Sequence, residues 1–186
     1  MDALLLGFGV IFVAELGDKS QLLALAFATR YRPLPVLVGI TVATAVVHLG
    51  SVALGATLGA SLPTGAISFA AGLSFLGFAA WTLRGDRLDE DDVDHARRSG
   101  RSAVVAVGLA FFVAELGDKT MLATVTLATT EGAVGTWAGS TLGMVAADAL
   151  AILAGAKLAA RVPERVVRIG APASFAVFGI LLLHSA

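Results

Sequence analysis

Six stretches of the chain are apolar for long enough to cross a bilayer, near 3–28, 36–60, 65–83, 103–128, 133–160 and 166–185. A crossing needs about 20 residues, so each stretch predicts one membrane-spanning helix. Pro33, Pro35, Pro63 and Pro163 fall at or between the ends of these stretches, where helix breakers belong. The one strongly polar segment, Arg84 to Arg101, separates the first three helices from the last three. The chain opens Met1-Asp2 without a basic region, and charges interrupt its first apolar run, so that run is read as a mature helix rather than a signal peptide.

The two halves are copies of one unit. FVAELGDK occurs at 12–19 and again at 112–119, an offset of 100 that continues without gaps. Ala28-Thr29 matches Ala128-Thr129, Gly39 matches Gly139, Pro63 matches Pro163, and Phe75 and Phe78 match Phe175 and Phe178. Three helices per copy is an odd number, so the second copy enters the membrane from the opposite side. That is the inverted-repeat layout of secondary transporters. The expected organisation is repeat 1 over 1–83, a charged cytoplasmic linker over 84–102, and an inverted repeat 2 over 103–186.

Charge orients this all-α membrane protein of six transmembrane helices. Apart from Lys19 and Lys119, every basic residue lies in the first, third or fifth loop or beside it: Arg30 and Arg32, then Arg84 to Arg101, then Lys157 to Arg168. The excess of positive charge on cytoplasmic loops then places both termini outside. Composition agrees, with 57% hydrophobic and 15% charged residues, a mean hydropathy of +0.86, and 21 glycines that let membrane helices approach closely. No basic stripe suggests nucleic acid as a partner. The absence of cysteine excludes disulfides, thiolate metal sites and cysteine nucleophiles.

Against this apolar background, Glu15, Asp18 and Lys19 sit near the middle of helix 1, and Glu115, Asp118 and Lys119 near the middle of helix 4. Ionisable groups at that depth cost several kcal/mol each and mark function by default. On one regular helix, positions i, i+3 and i+4 share a face, so each trio is expected to project together towards the protein centre. Oxygen ligands of this kind suit a hard divalent cation such as Ca²⁺ or Mn²⁺. Four carboxylates and two lysines leave two negative charges, which one divalent ion or two protons would neutralise. This is the electrostatic basis of exchange. The lysines are expected either to face the ion or to pair locally with Glu15 and Glu115.

Other residues are candidates for ligands or proton carriers. Gly17 and Gly117 weaken the helix; their first expected role is close packing, and the alternative is an unwound turn. Ser20 and Thr120 lie far round a regular helix from the glutamates and reach an ion only if it unwinds. Gln21 is replaced by Met121 in the second copy, and a thioether would lean the site towards Mn²⁺, although methionine also serves simply as packing. His48 and Asp148 occupy equivalent positions in helices 2 and 5. Histidine changes charge near physiological pH, and Asp148 has no basic neighbour in its helix. His95 and His184 are read as bystanders.

The duplicated E-L-G-D-K-S/T resembles the E-x-G-D-K/R-S/T signature of the calcium/cation antiporter-2 family, which includes Golgi and chloroplast manganese/calcium transporters and bacterial manganese exporters. Both copies match in full, at Glu15 to Ser20 and Glu115 to Thr120. The resemblance implies that Glu15, Asp18, Glu115 and Asp118 bind the exchanged cation and that transport runs against protons. It implies no cofactor beyond the transported Mn²⁺ or Ca²⁺, a lipid environment, and the plasma membrane of a bacterium, since the chain lacks the long N-terminal extension of many eukaryotic members. The sequence does not decide whether the protein is a monomer or a homo-oligomer. Rival readings are an intramembrane metalloenzyme, a structural membrane protein whose charges glue helices, and an exporter of organic cations. The last would need an aromatic cage, and only Phe12, Phe111 and Phe112 lie close to the motifs.

Overall fold

A computed structural model describes residues 2–61, 63–83, 103–159 and 164–184. Among these residues there are eight helices and no strand: α1 (Ala3–Glu15), α2 (Lys19–Ala28), α3 (Pro33–Ser61), α4 (Thr64–Leu83), α5 (Ala103–Glu115), α6 (Lys119–Thr130), α7 (Ala133–Ala159) and α8 (Glu164–His184). Four of the expected spans are single helices with nearly the expected ends. The other two are not. The stretch 3–28 divides into α1 and α2, and 103–128 divides into α5 and α6, each at the E-L-G-D sequence. With 13 and 10 residues, α1 and α2 are each too short to cross a bilayer alone. The linker 84–102 and its expected cytoplasmic position lie outside the described residues.

Polarity is inverted relative to a water-soluble protein. Leu34, Val38, Val42, Val46, Leu49 and Leu54 of α3 are exposed, while Thr44, His48 and Ser51 of the same helix are fully buried. A helix apolar on its outward side with polar groups inside is one whose solvent is lipid. α3, at 29 residues, and the Ala133–Leu153 part of α7 are long and apolar enough to cross a membrane. These features are consistent with an all-α membrane protein.

The copies interleave. α1 packs on α7, α3 on α5, and α4 on α8, so each copy's helices pack mainly against the other's. Two core clusters result, and they are counterparts. One joins Ile11 and Val10 to Ala123 and Leu127; the other joins Phe111 and Val107 to Leu23 and Phe27. Residues at equivalent positions also meet directly: Thr44 Oγ1 donates to Met144 Sδ at 3.3 Å, and the rings of Phe75 and Phe175 lie 5.9 Å apart.

Glycine sets the helix approach at matching places. A Cβ on Gly39 would lie 2.8 Å from the Val104 carbonyl oxygen in α5, and one on Gly139 would lie 2.9 Å from the Phe8 nitrogen in α1. At Gly139 the obstruction is backbone, which cannot rotate away. Gly139→Val is therefore expected to force α1 and α7 apart, at a cost of about 1–3 kcal/mol or more. Thermal unfolding in detergent would show this as a lowered midpoint, whereas Gly9→Val, at a position with open space around it, should leave the midpoint nearly unchanged.

Candidate cation site

The helix break is a turn written into the E-L-G-D sequence. Leu16 has φ −62° and ψ 114°, Gly17 has φ 78°, and the Asp18 N–H donates to the Glu15 carbonyl at 3.1 Å. These are the features of a type II β-turn, which requires positive φ at its third residue and so favours glycine there. Asp18, extended at φ −78° and ψ 169°, then starts α2 as its N-cap residue. The second copy repeats the turn, with Gly117 at φ 79° and the Asp118 N–H on the Glu115 carbonyl at 3.2 Å.

This corrects two expectations. Glu15, Asp18 and Lys19 do not share the face of a continuous helix, and neither do their counterparts, because the chain turns between them. Gly117 is not a packing glycine: a Cβ there would meet nothing within 4 Å. Its constraint is backbone conformation alone. Gly117→Ala is thus expected to cost roughly 1–2 kcal/mol through left-handed strain without any clash. Asparagine, which tolerates positive φ better, should cost less. Thermal midpoints of the two variants would check the order.

Gln21 and Met121 hold the turns from within. The Gly17 N–H donates to Gln21 Oε1 at 2.7 Å, and the Gly117 N–H to Met121 Sδ at 3.1 Å. Gln21 also donates from Nε2 to the Ala147 carbonyl at 2.7 Å, tying the first break to α7 beside Asp148. Sequence reasoning treated these two side chains as possible ion ligands and missed this backbone role. The available signal was their position four residues after each turn glycine.

The motif carboxylates are buried in the protein interior. Glu15, Asp18, Glu115, Asp118 and Asp148 are all buried, none more than 6% exposed. Glu15 lies within the electrostatic field of the other four, and Glu115 within that of Asp118, Asp148 and Asp18. Asp148, on α7, interacts with Asp18. The breaks bring Thr120 into the group: its hydroxyl lies 3.0 Å from Glu115 Oε2 and 3.3 Å from Asp118 Oδ2. One hydroxyl proton serves both carboxylates in turn. Asp118 also accepts from the Thr120 N–H at 3.4 Å, capping α6.

Positive charge arrives across the copies rather than along one helix. Lys119 Nζ lies 2.7 Å from Asp18 Oδ1, so the local pairing with Glu115, one of the two alternatives for this lysine, gives way to a pair between the copies. The side chain of Lys19 lies outside the described residues. Both carboxylate oxygens of Glu15 and of Asp148, the hydroxyl of Ser20 and both ring nitrogens of His48 are buried without a hydrogen-bond partner among the described residues. Buried polar atoms are normally paired, and such exceptions are expected where a ligand or ion belongs. Among the described residues, no three of His, Asp and Glu are gathered closely enough to enclose a metal ion.

The chain as a whole is similar to known proteins. The profile of the family described as "Divalent cation/proton antiporter GDT1" matches residues 3–90 and 103–186. A Vibrio cholerae protein described, provisionally, as a manganese exporter is 36% identical over 171 residues, covering 90% of this chain and 84% of its own. A GDT1-like protein of Synechocystis sp. is 32% identical over 199 residues, covering 97% of this chain and 96% of its own. The chloroplastic PAM71-homolog of Arabidopsis thaliana is 31% identical over 202 residues, and the match spans 56% of that longer protein. No solved structure matches. With both repeats covered and both E-L-G-D turns intact, the chain belongs to the GDT1 family of divalent cation/proton antiporters.

Proposed function

We propose that this protein exports Mn²⁺ in exchange for protons, through a central site built from Glu15, Asp18, Glu115 and Asp118, with Asp148 as a further ligand or proton carrier. One observation carries the reading. Two helix breaks, one from each copy, direct buried carboxylates into a common field, together with a fifth from α7. A concentration of negative charge in an apolar interior is costly unless a cation or protons neutralise it. Whichever binds removes the need for the other, and that is the coupling an exchanger requires. Each turn also ends a helix beside the carboxylates, and helix-end carbonyls freed from the ladder are the device by which discontinuous helices coordinate cations.

In this reading α1 with α2 makes one span, α3 and α4 the next two, and α5 with α6, α7 and α8 the remaining three. The contacts between equivalent residues, Thr44 with Met144 and Phe75 with Phe175, are what an axis relating two inverted copies would produce. Both termini lie outside, and the protein sits in the plasma membrane of a bacterium. Transport proceeds by alternating access, the two repeats rocking about the central carboxylates. Membership of a transporter family weighs against the metalloenzyme reading. The preference for Mn²⁺ over Ca²⁺ leans on the Vibrio cholerae relative's description, since the Met121 sulfur is engaged by a backbone N–H.

The test is uptake of Mn²⁺ and of Ca²⁺ into proteoliposomes whose lumen is more acidic than the bath. Uptake that collapses when the proton gradient is dissipated supports exchange. Ca²⁺ uptake without Mn²⁺ uptake would keep the mechanism and change the substrate. Flux of neither ion would overturn the proposal.

A further inference from the structure

We propose that Lys119 is a tethered competitor of the transported cation: in the ion-free site its ammonium occupies an Asp18 carboxylate oxygen that a divalent ion would take, and ion binding displaces it. This rests on the cation-site reading above and assigns a role within it. The pair joins the first residue of α6, in the second copy, to the N-cap residue of α2, in the first. Nζ and Oδ1 are 2.7 Å apart, and each side chain is 3% exposed.

The two aspartates differ at their own helix ends. Asp118 turns its carboxylate back to cap its own helix through the Thr120 N–H, whereas Asp18 makes no side-chain cap bond to α2. The Asp18 carboxylate is instead directed to the lysine of the other copy. A charge-assisted bond of this length occupies one of that oxygen's two lone-pair directions and places a full positive charge beside it. A Ca²⁺ ion that took the same oxygen as a ligand would sit about 2.3–2.6 Å from it, and two cations that close in a low-dielectric interior repel strongly. The ion therefore either forgoes that oxygen or drives the ammonium out. Because no three acidic or histidine side chains among the described residues already enclose an ion, releasing Asp18 is a direct way to improve the ligand set.

Lysine suits this task. Its charge is compact and sits on a flexible four-carbon stem, so it can withdraw without moving the backbone, whereas the planar fork of arginine grips a carboxylate through two bonds. A tethered cation also keeps Asp18 compensated after the ion leaves. Ion affinity is thereby lowered, and release is favoured.

The full-length chain in detergent micelles would be titrated with Mn²⁺ alone, by calorimetry and by thermal unfolding with and without the ion. Lys119→Gln is expected to bind Mn²⁺ about ten-fold more tightly or better, the factor that corresponds to 1.4 kcal/mol, and to gain more thermal stability from the ion than the wild type does. Lys119→Arg, which keeps the charge, is expected to bind more weakly than the wild type. A purely structural lysine would behave otherwise: Lys119→Gln would lose stability with Mn²⁺ affinity unchanged or reduced, and that result overturns the proposal. Should the glutamine variant fail to fold, arginine decides alone, since binding as tight as wild type or tighter would likewise overturn it. If the wild type itself binds neither Mn²⁺ nor, in a parallel titration, Ca²⁺, the cation-site reading fails first, and the role of Lys119 with it.

Discussion

Proteoliposomes containing Glu15→Gln are expected to take up Mn²⁺ no faster than protein-free vesicles, while wild-type vesicles respond to the proton gradient. Glu15 is the last residue of α1, fully buried, and both its carboxylate oxygens lack hydrogen-bond partners among the described residues. The substitution keeps size and shape and removes a group able to exchange a proton for a cation, in a cluster where Glu15 feels Asp18, Glu115, Asp148 and Asp118. If those charges merely pinned the copies together, a neutral hydrogen-bonding side chain would serve nearly as well and flux would persist. Asp118→Asn offers the matching test in the second copy, where the Thr120 hydroxyl and N–H that now meet the carboxylate can still meet an amide oxygen. Persistent proton-driven flux in both variants would remove the carboxylates from the mechanism.

Asp148→Leu should separate stability from transport. Asp148 is fully buried, has no hydrogen-bond partner among the described residues, and interacts with the like charge of Asp18. An unsatisfied buried polar group costs about 1–3 kcal/mol, and a carboxylate close to another carboxylate adds repulsion. Replacing it with an apolar side chain of similar volume is expected to raise the thermal midpoint of the ion-free protein by several degrees. The same change is expected to cut Mn²⁺ flux severely, because the site loses a group that can carry either a proton or the ion. A gain in stability together with a loss of flux is the pattern left by a residue retained for function at the expense of the fold. A loss of both would assign Asp148 a structural role, and unchanged flux would remove it from the site.

How much of this was legible in the residues themselves differs between the fold and the site. The positions of the helices were readable because membrane helices must be long and apolar, and because proline and charge punctuate the stretches between them. The duplication was readable because an uninterrupted offset of 100 needs no structural knowledge. The two motif helices misled, since a continuous apolar stretch with glutamate and lysine at i and i+4 fits a helix, and the glycine that weakens it is also a common packing residue between membrane helices. The type II turn needs only Leu-Gly between Glu and Asp, and nothing in hydrophobic periodicity registers a break that leaves the flanking residues equally apolar.

The sequence by itself determined that this chain carries two copies of one helical unit, each placing Glu, Asp and Lys in the middle of an apolar stretch. That followed from composition, periodicity and repetition, which are properties of the chain in one dimension. Only the tertiary structure decided who faces whom. It broke the helix at Gly17 and Gly117, because the turn bond from Asp to the Glu carbonyl replaces the helical ladder there. It placed Asp148 of α7 within the electrostatic field of Asp18, and it gave Lys119 to Asp18 of the other copy rather than to Glu115 of its own. Those partnerships depend on how α1 packs on α7 and α3 on α5. Contacts between residues a hundred positions apart are set by close packing of whole helices, a three-dimensional fit that no local pattern encodes.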